Sequence, residues 1–190
     1  MTAQQRYQQA ITLFIGSQLC LLLPLILCVL LLPSGMLANR GFSYFGDYPR
    51  TRLLYQLAFV SAGCLLLLSA FRLPWVMPVR VLKVGFMIMV PLLFGVLVTT
   101  SPDNRALDGI HITIGVTLFV LQFILGSWLA VVICRDTRTM RLWLLLIAGG
   151  VLAVLALVHL IPVLLWGQVC FQTAFAVLLI QALRKLQAGL

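Results

Sequence analysis

Polar residues in this chain occur in short clusters separated by apolar runs of about 20 residues, the length at which a helix spans a hydrocarbon core of about 30 Å. Six runs are read along the sequence: Ile11 to Leu32, Leu53 to Phe71, Val81 to Thr100, Gly109 to Cys134, Leu142 to Ile161 and Val163 to Leu183. The last two touch and together would make a helix of about 63 Å, twice the core thickness. Pro162, followed by Trp166-Gly167, therefore predicts a tight turn between them. The first run is long and lacks a small-x-small site after it, so it is expected to persist as a helix and not to be a cleaved signal. The pattern predicts an all-α bundle of about six transmembrane helices over residues 1–190, one domain with both termini cytoplasmic.

Composition agrees: 63% of residues are hydrophobic and 9% charged, against about 25% charged in soluble domains. The net charge of +9 would suit nucleic acid, but the basic residues stand in ones and twos at the ends of apolar runs, where they reach lipid head groups. Their placement sets the orientation. Arg6, Arg72, Arg80, Lys83, Arg135, Arg138, Arg141, Arg184 and Lys185 share one side, which the positive-inside rule makes cytoplasmic; Arg40, Arg50, Arg52 and Arg105 share the other. Asp47, Asp103 and Asp108 then lie outside. Eleven arginines against two lysines suggest a bacterial source, and so a bacterial inner membrane as the plasma membrane concerned.

The outer connection from Pro33 to Arg52 carries Phe42, Tyr44, Phe45 and Tyr48, a density that predicts a re-entrant or interface-lying segment. In the second outer loop Ser101-Pro102-Asp103-Asn104 is a turn signature, and Asp108 is expected to cap the fourth span. Gly126 with Ala130 and Gly149 with Ala153 offer small-residue packing faces. Cys20, Cys28, Cys64, Cys134 and Cys170 are scattered and read as packing residues, with Cys134 at a helix end as a candidate acylation site.

No Asp, Glu, Lys or Arg falls near the centre of a run, which argues against a proton pump or ion-coupled transporter. Nucleotide, serine-hydrolase-elbow and zinc-helix motifs are missing as well. What remains is a polar set toward the outer helix ends: Gln56, Thr99, Thr100, His111, Thr113, His159, Gln168 and Gln172. His111 near the start of the fourth span and His159 near the end of the fifth are placed at one depth on neighbouring helices. Three readings stay open for the pair: hydrogen bonding within the bundle, a vestibule for a lipid head group beneath Asp47, Asp103, Asp108, Arg50 and Arg105, or ligation of haem or a metal ion.

In the first outer loop, Ser43-x-x-Gly46-x-x-Pro49 runs into the second span, and the fourth opens with His111 followed by Phe119. In these residues and in its topology the chain resembles the DRAM/FRAG-type six-helix membrane proteins, and also a related set of uncharacterised bacterial six-helix proteins. It departs from the pattern at Gly115, one residue late, and at the end of the chain, where Gln168 or Gln172 stands for an acidic residue. The resemblance implies a lipid-related role and supplies no reaction. The expected function is to bind or organise membrane lipids, with or without a membrane-protein partner. The alternatives are a haem-binding electron-transfer subunit using His111 and His159, and a structural subunit without a ligand.

Overall fold

The computed structural model describes residues 2–37, 41–100, 105–133 and 136–188. The turn expected at Ser101 to Asn104, and the side chains of Arg40, Arg105, Cys134 and Arg135, lie outside what is described. Among the described residues seven α-helices follow one another: α1 (Ala3–Leu31), α2 (Tyr44–Asp47), α3 (Pro49–Arg72), α4 (Val79–Thr99), α5 (Arg105–Trp128), α6 (Thr137–Leu157) and α7 (Leu164–Ala188). The single turn α2 apart, all are long and apolar enough to cross a membrane. No strand occurs among the described residues.

The helices outrun the apolar runs wherever polar residues finish a turn. Thr2 caps α1 by accepting from the Gln5 amide while the Gln5 side chain accepts from the Thr2 amide, so the helix starts well before Ile11. Pro49 opens α3, where its missing N–H costs nothing and its fixed φ suits a first helical position. Asp136 caps α6 by accepting from the Thr139 amide at 2.8 Å, and it also pairs with Lys185 on α7. The bond from Lys185, with the Thr139 contacts behind it, holds the Asp136 carboxyl down at about 2. Asp108, expected as a cap, instead lies within the first turn of α5, where a negative charge still suits the helix's positive end.

Three side-chain bonds fix α1 against α3 in antiparallel order: Ser69 to the Ala10 carbonyl, Ser17 to that of Ala62, and Cys28 to that of Thr51. Each donor satisfies its polar hydrogen on a neighbouring backbone, as a lipid-facing bundle without water requires. In α6 and α7 small residues let the backbones touch. A Cβ on Gly149 would sit 2.5 Å from the Phe171 nitrogen, and one on Gly167 would sit 2.6 Å from that of Ala153. The expected Gly149–Ala153 face is therefore a real crossing, and Gly167 is its partner. Gly126 likewise meets Leu146 and Phe175, placing α5 against both α6 and α7. The ring of helices runs α1, α3, α4, α5, α6, α7 and back to α1, where Gln172 donates to Gln18 at 2.8 Å in the buried interior.

The order places both chain ends, the Arg72–Val79 connection and the Asp136 turn at one end of the bundle. The Leu32–Tyr48 connection, the end of α4 and the α6–α7 turn lie at the other.

Candidate functional site

At the end opposite the termini, the connection from Pro33 to Tyr48 folds as short 3-10 turns (Pro33–Leu37 and Gly41–Ser43) and α2. The expected interface-lying segment is a plug. Phe45 is fully buried, and Tyr44 packs against both Phe45 and Tyr48. Two glycines make this possible. A Cβ at Gly35 would collide with the Phe45 ring, and one at Gly46 would collide with Thr100 and Tyr55. Backbone bonds then pin the plug to the helices. Thr51 donates to the Phe45 carbonyl at 2.7 Å, the Arg52 Nε donates to the Gly46 carbonyl at 3.1 Å, and the Phe42 amide donates to the Gln168 Oε1 at 2.9 Å. Gln168 lies close against Gly41, whose φ of 56° falls in the left-handed region that favours glycine. The candidate ligand Gln168 is thus a tether between α7 and the plug.

His111 is the centre of the site. Its Nε2 is 2.6 Å from the Ser43 Oγ, and its Nδ1 is 3.1 Å from both the Val96 carbonyl and the Thr99 Oγ1. The tautomer follows from the partners. Val96 is among the last residues of α4, whose carbonyls lack helical donors, and a carbonyl only accepts. The Thr99 hydroxyl already gives its hydrogen to the Gly95 carbonyl at 2.7 Å, so it too accepts from the ring. In the neutral ring Nδ1 therefore carries the proton, and Nε2 presents a lone pair to the Ser43 hydroxyl, which then donates to it. Tyr55 adds its hydroxyl, 3.2 Å from the Thr100 Oγ1 and close enough to Ser43 to interact with it. Five polar side chains from the plug, α3, α4 and α5 converge here.

The remaining candidates lie in other settings. His159 lies beyond the end of α6 with φ 61°, in the left-handed region, and is exposed. The Leu160 amide bonds the Leu155 carbonyl and the His159 amide that of Ala156, the pattern that closes a helix when a left-handed residue follows it. The fifth span ends at Leu157 for this reason, four residues before the apolar run does. α5 and α6 run side by side, with Phe119 beside Gly150 and Trp143 donating to Ser127, so both histidines lie at one end of the pair. The His111 ring, however, is directed to α4 and the plug, and an iron or metal ion on it would have to displace Ser43 or the Val96 and Thr99 acceptors. Gln172 is buried on Gln18, away from the plug. Asp47 and Asp108 are half-buried and Arg50 is exposed, all at the plug end. Gln56 is exposed on α3. No group of three or more His, Cys, Asp or Glu able to hold a metal ion occurs among the described residues.

Sequence reasoning took in Ser43 only through the family pattern and passed over Tyr55. Tyr55 follows Thr51 by one helical turn on a buried face with Ala58 and Ala62, a spacing that marks it as inward. No family profile, curated protein or solved structure matches the chain.

Proposed function

We propose that this multi-pass membrane protein holds a lipid head group at the plug end of the bundle, which faces away from the cytoplasm. The observation that carries the reading is the position of the His111 cluster. It is polar and half-buried, set at the level of the helix ends, and flanked by side chains that face outward from the bundle: Ile110 and Ile112 on α5, and Val98, which is 78% exposed. A lipid whose chains lie along those residues brings its ester and head-group region to the height of Ser43 and His111. Asp47, with Arg50 just after it at the start of α3, offers opposite charges to a zwitterionic head group, Arg50 to the phosphate and Asp47 to the ammonium. Gln168 serves the site by fixing the plug, and His159 by shaping the adjacent turn.

The residues that carry the DRAM/FRAG resemblance, Ser43, Gly46 and His111, meet at this cluster, with Pro49 opening the helix beside it. Their convergence supports that kinship and a lipid-related role. The nine basic residues beside the termini support a plasma-membrane orientation with both termini cytoplasmic. The test is lipid mass spectrometry on protein extracted in polymer-bounded native membrane discs. His111→Ala and Arg50→Gln are expected to lower a bound phospholipid species severalfold while the protein remains monodisperse. Unchanged lipid in both variants would mean that the cluster only packs the plug.

A further inference from the structure

We infer that Ser43 and His111 form a nucleophile–base dyad that cleaves or transfers an acyl group from a lipid ester. The inference rests on the head-group reading of the same site and adds a reaction to it. Its first support is the proton inventory. The acceptors at Nδ1 leave Nε2 as the only basic ring nitrogen, and the Ser43 hydroxyl donates to it over 2.6 Å. A serine hydroxyl is a poor nucleophile by itself and becomes a useful one when a neutral imidazole, held in the right tautomer by an acceptor at its far nitrogen, can take the proton as attack proceeds. Here the orienting acceptor is a helix-end carbonyl, assisted by a threonine hydroxyl.

The second support is location. Ser43 and His111 are half-buried and not sealed in the core. They lie beside exposed aliphatic residues at the level of the helix ends, which favours a carboxylic ester with long chains over a soluble one.

The step balances with groups on the page and water or a second lipid alcohol as acceptor. Ser43 Oγ bonds to the ester carbonyl carbon as its proton passes to His111 Nε2. Collapse of the tetrahedral adduct breaks the bond to the lipid alcohol, which leaves with that proton. The acceptor hydroxyl then attacks the acyl-serine, giving its proton to Nε2. Ser43 Oγ departs and takes the proton back, so no net charge or redox change results.

A small fluorophosphonate tests the dyad without requiring a lipid to bind, so its result is independent of the lipid measurement. Attack by Ser43 forms an Oγ–P bond and expels fluoride, with the Oγ proton passing to His111. Peptide mass spectrometry of the full-length protein should find a single adduct on Ser43, absent in Ser43→Ala. The labelling rate should fall by about a hundredfold or more in His111→Gln, as loss of a general base predicts. If His111→Gln does not fold, the Ser43 adduct of the wild-type protein decides. No adduct, an adduct elsewhere, or an unchanged rate in His111→Gln overturns the dyad, even where bound lipid shows the head-group site to be real.

Discussion

Single polar side chains in this bundle act chiefly by removing hydrogen-bonding demands that lipid cannot meet, and the Gln18–Gln172 pair shows how large that effect should be. The pair bridges α1 and α7 at 2.8 Å and is buried. Replacing either residue with leucine strands the other amide in an apolar interior, at a cost of about 1–3 kcal/mol. Replacing both removes the demand together. Gln18→Leu and Gln172→Leu should each lower the unfolding temperature in detergent, and the double variant should recover most of the loss. Equal losses that simply add would show that the two amides do not depend on each other. Position along α7 alone puts Gln172 with the outer polar set, whereas its amide lies in the interior against Gln18. Its partner lies 154 positions away, and nothing in local pattern links the two. The same holds for Ser43 and His111, which are brought together only by the path of the plug.

Whole helices were far more legible than their contacts, since hydropathy reports directly on which segments lipid can surround. The differences are confined to ends, where capping chemistry outweighs hydropathy: Thr2 and Gln5 lengthen α1, and the left-handed turn at His159 ends α6 early. Packing faces were partly legible. Gly149 and Ala153 stood out as a small-residue pair, but only the structure shows that Gly149 meets the Phe171 backbone while Gly115 on α5 meets nothing within 4 Å. The two glycines should therefore respond oppositely to the same change. Gly149→Ala forces the α6 and α7 backbones apart and should cost about 1–3 kcal/mol, the usual range for overpacking. Gly115→Ala should be neutral or stabilise by up to about 1 kcal/mol through helix propensity. Thermal unfolding of both variants in one detergent checks the contrast, and a stable Gly149→Ala would show that this crossing is looser than drawn.

Across the whole molecule, charge is asymmetric in a way that the fold makes sharper than the sequence alone. Among the described basic residues near the termini, Lys83 donates to the Leu73 carbonyl at the end of α3 and lies with Arg80 over the Trp75 ring, and Lys185 pairs with Asp136. Arg6, Arg72, Arg80, Arg138, Arg141 and Arg184 are all exposed on that one rim. An anionic leaflet attracts each such side chain by about 1 kcal/mol, and moving this rim across the bilayer is opposed further by the membrane potential. The plug end has fewer basic residues, and Arg52 among them is turned onto the Gly46 carbonyl. The rim should thus face the cytoplasm and the Ser43–His111 cluster the outside. Single cysteines introduced into a cysteine-free chain at Thr137, Ala188 and Leu160, all exposed, report the result. In intact cells a membrane-impermeant maleimide should label the cysteine at position 160 and spare those at 137 and 188, which should react only after the membrane is opened. The reverse pattern would turn the cluster toward the cytoplasm and confine any lipid it takes to the inner leaflet. Labelling of all three in intact cells would mean that the chain inserts in both orientations, because the arginine rim alone is too weak to fix one.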